Sequence, residues 1–364
     1  MKIICLIFLS LISAAAYSQS EAEQRRYRGV LSSLYLHHQP SAKGEAMGRG
    51  LVANYEGSFG SYYNPALTSL SKGINFDFSY SEADNIKPSL SYFGVSYSDE
   101  KLGSIGISAY YFSKPTEPYN SFRPRLLLKH YDALFTVNYS REIVKDFYAG
   151  VNFGVFHFSQ YFVDGLSYTY YNVYDGATLD IGLLKKFHIS STENKHILSF
   201  GTAVYNAANS QIPFEESEYK EPLPVVLRIG ASHQLFFEGK DVKKSEYPLK
   251  IFTHIEIQKI LNAEHDLTFK LGEEFTMWDI LSVRAGYFLS KVHEEFFSWS
   301  PSEYDYEINF GAGINIPLQK LLKTKNPFNI KIDYTKTSIT DFHSFYYYDE
   351  DKFSHLGLSI NYIP

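Results

Sequence analysis

The sequence predicts an exported all-β protein: a transmembrane antiparallel β-barrel of about fourteen strands, preceded by an N-terminal segment of different character. Three observations carry this. From residue 72 onward, apolar and polar residues alternate with period two in one segment after another. The connectors between those segments largely alternate short and long. An apolar leader opens the chain, and no later run offers the roughly eighteen apolar residues a helical span needs. Insertion is then left to a closed barrel, because a free sheet edge cannot be satisfied in lipid.

The leader comes first. Lys2 supplies a positive start, Ile3 to Ile12 an apolar run, and Ser13, Ala14, Ala15 and Ala16 a small-residue region. Ala16 and Ser18 are the small residues a signal peptidase reads before a cut at Gln19, which gives a cleaved signal peptide over residues 1–18. The apolar run is too short to anchor the chain by itself. The only cysteine, Cys5, lies inside it, so the mature chain can form neither a disulfide nor a thiolate metal site. Taking Lys2 from the 34 Lys and Arg leaves 33 against 40 Asp and Glu. That mild acidic excess opposes nucleic acid, which needs a concentrated basic face. Tyr 31 and Phe 29 are high counts that suit strands. The mean hydropathy of -0.22 resembles a soluble protein's, as expected when polar side chains line a lumen.

Residues 19–70 do not alternate. Small residues, glycines and Asn64-Pro65 mark a folded segment, either a plug in the lumen or a periplasmic extension. Strand candidates follow over 72–81, 89–98 and 102–113. Tyr131, Ala133, Phe135, Val137 and Tyr139 then oppose Asp132, Thr136, Asn138 and Ser140. Phe147 to Val155 puts Phe153 and Val155 on one face and Gly150, Asn152 and Gly154 on the other. The same reading gives strands at 177–183, 196–206, 225–231, 249–257, 267–271 and 281–287. The clearest is Tyr304 to Ile314, where Tyr306, Ile308, Phe310 and Ala312 alternate with Glu307, Asn309, Gly311 and Gly313; a period of 3.6 would mix the two sets. Strands at 328–334 and 356–362 close the series. Most have roughly the nine to eleven residues a tilted strand needs to cross hydrocarbon.

Short connectors are Ser98–Lys101, Arg141–Asp146, Ser190–Lys195 and Phe275–Asp279, the last centred on Met277. Long ones are Phe112–Lys129, Phe158–Val173, Asn206–Pro222, Lys291–Ser302 and Ser338–Lys352. That sorting fits tight turns on a periplasmic rim and long loops outside. Aromatics near strand ends (Tyr110, Tyr111, Phe112, Tyr287, Phe288, Tyr334 and Tyr362) read as interfacial belts. Pro317 to Pro327, with Leu318, Leu321 and Leu322, reads as one or two helical turns on the short-loop rim.

Ser41 to Gly50, with Met47-Gly48, followed by Val52-Ala53 and then Asn64-Pro65-Ala66, resembles the N-terminal segment of the FadL-like outer-membrane proteins. That family includes long-chain fatty acid transporters and the PorV and PorQ components of type IX secretion. Leu271 to Phe275, Leu281 to Tyr287 and Leu356 to Tyr362 resemble its later strands. The sequence departs at Arg49, where small residues are usual, and at Leu67-Thr68, which replaces the common Gly-Leu. The resemblance implies fourteen strands around a plug built on Met47, Gly48, Asn64, Pro65 and Ala66.

No phosphate-binding loop, hydrolase elbow, paired-histidine zinc helix or calcium loop occurs. His37-His38 would face opposite ways on a strand. The expectation is a non-enzyme with no cofactor and no metal. Parity directs Lys250, His254, Glu256, Lys270, Glu274, Arg284, Glu307, Lys331 and Asp333 inward, to neutralise one another in a wet lumen, hold the plug or orient a ligand. Tyr168 to Tyr171 and Phe345 to Tyr348 read as aromatic bursts in long loops. The leading function is uptake or passage of a hydrophobic or small ligand. The alternative is a secretion accessory that engages exported proteins. Expected partners are outer-membrane lipid and such a ligand or exported protein, not nucleic acid.

Overall fold

The computed structural model describes residues 39–55, 57–83, 89–118, 126–164, 168–190, 194–213, 220–237, 247–262, 267–292, 303–319, 328–339 and 351–363. In chain order the strands are β1 (Gly73–Ala83), β2 (Ser89–Asp99), β3 (Gly103–Pro118), β4 (Leu126–Val144), β5 (Phe147–Asp164), β6 (Tyr168–Ser190), β7 (Asn194–Tyr205), β8 (Gln211–Pro213), β9 (Lys220–Pro222), β10 (Val226–Phe237), β11 (Leu249–Ile260), β12 (Thr268–Met277), β13 (Leu281–Val292), β14 (Glu303–Pro317), β15 (Phe328–Ile339) and β16 (Asp351–Tyr362). β8 and β9 pair only with each other; the remaining strands form one closed antiparallel barrel of fourteen. β7 pairs with β10 across the small hairpin. β16 closes on β1 from Ile74↔Tyr362 to Ala83↔Phe353.

The two faces of the wall meet different surroundings. Ile107, Phe135, Phe153, Ile229, Ile308 and Phe310 point out and stay exposed, Phe310 at 64%. Asn138, Asn152, Asp180, Ser232, Glu256 and Asn309 point in and are buried. Water would penalise that outer face; hydrocarbon suits it, and closure leaves no strand edge to satisfy. The chain is a transmembrane barrel of the outer-membrane type.

Several boundaries differ from the sequence reading. β4, β5 and β6 run to 19, 18 and 23 residues. The expected long connectors Phe112–Lys129 and Phe158–Val173 are therefore mostly strand, and Tyr168 to Tyr171 lies on β6 rather than in a loop. Alternation is enforced only where the two faces meet different solvents. Beyond the bilayer, residues of high β-propensity keep the strand while the pattern lapses. On the short rim, β12 ends at Met277 and the turn falls at Trp278–Ile280, with Trp278 (φ 51) and Asp279 (φ 58) left-handed. Val225, the first residue of the expected strand 225–231, precedes β10 and is buried. The backbone turns helical at Leu318-Gln319, where a turn was expected. The leader, His37-His38 and Phe345 to Tyr348 lie outside the described residues.

A lysine at Ile308 would face hydrocarbon near mid-strand. Ile308→Lys should cost about 2–4 kcal/mol in reversible urea unfolding from phospholipid vesicles, while Ile308→Val changes little. An unchanged midpoint for the lysine variant would contradict the assigned faces.

Candidate functional site in the lumen

Inside the wall lies the stretch from Gln39 to Ser71. It forms a short helix α1 (Ala42–Ala46), a second α2 (Gly60–Tyr63) and a 3-10 helix (Pro65–Leu70). Ser41 Oγ caps α1 by accepting from Gly44 N at 2.9 Å, and Asn64 Oδ1 caps the 3-10 helix by accepting from Ala66 N at 3.0 Å. Among described residues from 39 to 68, all are buried except Lys43, which is partly so. α1 packs on β13 to β16 and the 3-10 helix on β2 to β6, so the inner segment crosses the lumen.

The two motifs that carried the resemblance are where inner backbone meets wall backbone. A Cβ at Gly286 would stand 2.0 Å from Gly48 N, and one at Gly182 would stand 1.9 Å from Asn64 Oδ1. Gly150 makes the same room for the Pro65 carbonyl and Gly272 for that of Met47. Asn64 Nδ2 donates to Val52 O at 2.9 Å and to the wall carbonyl of Leu183 at 3.0 Å. From the wall, Asn138 Nδ2 donates to Pro65 O at 3.0 Å and Asn152 Nδ2 to Ser61 O at 3.0 Å. Only glycine lets two backbones approach this closely. The signal was present in the sequence as inward glycines at mid-strand, but parity alone reads them merely as small.

Charge supplies the second set of contacts. Arg49, left-handed at φ 65, bonds Glu45 at 3.2 Å and Glu307 at 2.5 Å, with its guanidinium 4.7 Å over the Phe288 ring. Lys43 Nζ lies 2.9 Å from Glu274, which also bonds Arg284. Arg284 reaches Asp333 at 2.8 Å, and Lys331 lies 3.7 Å from that carboxylate. Lys270 bonds Glu256 at 2.9 Å and Gln258 at 2.8 Å, while Glu256 accepts Val52 N at 2.9 Å. His254 is buried nearby, stacked on Phe252 at 6.1 Å. Lys250 stands apart: it is half-buried near the short rim, paired with Asp279 and set over Phe236 and Tyr247. The other expected lumenal residues do converge, and sequence parity missed the inner partners Lys43, Glu45 and Arg49. The wet lumen is corrected as well, because the inner segment occupies the space those charges surround. A buried charge is tolerated only when paired, and two of these pairs, Lys43–Glu274 and Arg49–Glu307, tie the inner segment to the wall.

The upper wall differs again. Registers align Leu90 with Phe112, Phe112 with Asp132 and Asp132 with Phe158 in one layer. The layer below aligns Tyr92, Tyr110, Leu134 and Phe156. These side chains face inward and are buried, with Phe353 of β16 also inward on the same long-loop side. Tyr110, Phe112 and Phe288 are therefore not interfacial belt residues, whereas Tyr111 and Tyr334 do point out. Between the aromatic layers and the inner segment lies a narrow pocket of about 20 Å3, room for roughly one water molecule. Its lining includes Tyr62, Tyr92, Tyr110, Tyr205, Asp180 and Arg228. The Arg228 guanidinium sits 4.7 Å over Tyr205 and 5.5 Å over Tyr62. Among the described residues no group of three or more His, Cys, Asp or Glu is placed to hold a metal.

Wall, occupied lumen and inward aromatic layers together define a fourteen-stranded transmembrane β-barrel whose interior is filled by its own N-terminal segment. No family model and no curated protein matches the chain. Among solved structures it is similar to the CymD monoaromatic hydrocarbon channel at 12% identity, covering 93% of this chain and 98% of that one, TM-score 0.47. It is also similar to the Pseudomonas putida toluene transporter TodX (10% identity, 88% and 97% covered, TM-score 0.46). A third is a Pseudomonas aeruginosa FadL homologue (9% identity, 88% and 98% covered, TM-score 0.48).

Gly286→Val should drive the inner segment off its seat while leaving the wall closed. Planar-bilayer recordings are expected to show larger conductance for Gly286→Val than for wild type, with heat-modifiable gel mobility retained. Gly106→Ala is the control, since its Cβ would meet nothing nearer than 3.2 Å. Equal conductance in all three would show that the close approach does not seat the segment.

Proposed function

We propose that this chain is a non-enzymatic outer-membrane barrel for uptake or passage of a hydrophobic or small ligand. In this reading residues 1–18 are a cleaved signal peptide, 19–70 a plug and 71–364 the barrel. The observation that carries it is the aromatic-rich apolar layers that the wall turns inward on its long-loop side. A lumen serving only water and ions has no physical reason to present Leu90, Phe112, Phe156, Phe158 and Phe353 inward on its long-loop side. An apolar solute gains about 25 cal/mol per Å2 of surface it buries against such groups.

The plug supplies the gate. Its ion pairs are local and its apolar contacts are shared with the aromatic layers, so a ligand that replaces those contacts loosens it without opening the wall. The lumenal polar residues His254, Glu256, Lys270, Glu274, Arg284 and Glu307 act in this account as the plug's seat. The outer wall takes lipid as its partner. No observation on the described residues favours an exported protein as cargo.

Protein purified in detergent and extracted for mass spectrometry should yield an apolar small molecule in near-stoichiometric amount. Phe156→Asp should lower that yield roughly tenfold, equivalent to about 1.4 kcal/mol. Wild-type protein that carries no apolar molecule, and binds none when offered a panel of hydrocarbons and lipids, would overturn the proposal.

A further inference from the structure

The outer face of the barrel carries a feature that the passage of a ligand does not use. His196 Nδ1 and His233 Nε2 lie 3.1 Å apart, with ring centroids 5.3 Å apart and planes at 8°. Both point outward. On β7, Ile197 and Ser199 are buried toward the lumen, which leaves His196 on the face that exposes Phe200. On β10, His233 shares its face with exposed Ile229. The register pairs His196 with Leu235 and His233 with Leu198, so the imidazoles are diagonal neighbours across two hydrogen-bonded strands. Asn194 opens β7 and Phe237 ends β10, which places the pair beside the short rim, at the membrane–water boundary.

Other exposed histidines are differently held. His157 bonds Asp175 at 2.7 Å and His188 bonds Asp146 at 3.0 Å, so a carboxylate takes a ring nitrogen of each. Only His196 and His233, among the described residues, bring imidazole to imidazole. Two imidazole nitrogens that each sit about 2.0–2.1 Å from a tetrahedral ion stand roughly 3.3 Å apart. The observed separation is already close to that, on a frame two strands keep rigid.

We propose that His196 and His233 form a binding site for a borderline divalent transition-metal ion, with water completing the coordination. Imidazole suits Zn2+, Ni2+ and Cu2+, and Cu2+ binds most tightly among them. In the free pair one nitrogen donates its proton to the other. When the ion enters, that proton shifts to the far nitrogen of the same ring by exchange with water. Both imidazoles then ligate in their neutral form with no net proton released. Acid, which protonates imidazole, competes with the ion. The site is independent of the plug and the lumen, so it stands or falls apart from the transport reading.

The test is Cu2+ titration of untagged mature protein in detergent, read by electron paramagnetic resonance. Wild type should bind one tight ion per chain with hyperfine structure from two equivalent nitrogens. His196→Asn and His233→Asn should each weaken binding by more than the roughly 10–100-fold that losing an outer-shell partner costs. The double variant should bind more weakly than either single one, having lost both nitrogens, and His157→Asn should match wild type. Heat-modifiable mobility of every variant confirms a closed barrel. Absence of a tight ion in wild type, a single-nitrogen spectrum, or unchanged affinity in the His196 and His233 variants would overturn the assignment.

Discussion

Everything in this molecule depends on one constraint: no backbone amide or carbonyl of the wall can be left unpaired against hydrocarbon. The pairing of β16 with β1 meets it by removing the sheet's edges. Once the sheet is closed, each strand has one face in lipid and one in a bounded interior. Period two then becomes obligatory, because a slip of one residue would turn Glu256 or Glu307 into hydrocarbon and Ile257 or Ile308 into the lumen. The aromatic-rich composition, the moderate hydropathy and the lack of any cysteine staple all follow from a stability that resides in a continuous ladder.

The bounded interior then has to be filled. A ring of this size cannot meet its own side chains across the middle, and the inner segment occupies the gap. It does so with backbone rather than bulk at Gly48 and Asn64, where wall glycines allow contact, and with charge at Lys43, Glu45 and Arg49. Burying ions this way contributes little net stability, since desolvation offsets the attraction. What it confers is register. The aromatic layers toward the long-loop side are the opposite kind of filling: they hold by buried apolar area.

How legible this was in the sequence varied with the physics. The wall was read strand by strand, because two solvents on two faces leave a binary signature. The count of fourteen followed, as did the inward direction of His254, Glu256, Lys270, Glu274, Arg284 and Glu307. The upper reach of β4 to β6 was not legible, because outside the bilayer nothing enforces alternation. The inward turn of Tyr110, Phe112 and Phe288 was misread because an aromatic near a strand end suits an interface equally well; carrying parity up from Ser104 or Ser282 would have settled it. Two departures from the segment that residues 41–66 resemble now have partners. Arg49 is met by Glu307, and Thr68 bonds Asn138 and Ser140 on the wall at 2.5 and 2.7 Å. The inner segment's seat stayed hidden because a close backbone approach leaves only a glycine as its mark.

The division of the wall into a lipid face and a packed interior is best tested residue by residue, and a chain whose one cysteine is Cys5 is suited to it. Single cysteines at Phe310 and Asn309, adjacent on β14, would carry an environment-sensitive fluorophore in vesicles whose acyl chains are brominated. The label at Phe310 should emit to the blue and be strongly quenched, whereas Asn309 should resist labelling, shielded by the Glu45 carbonyl it contacts at 3.1 Å. Equal quenching at both positions, or ready reaction of both with a charged water-soluble maleimide, would contradict the account.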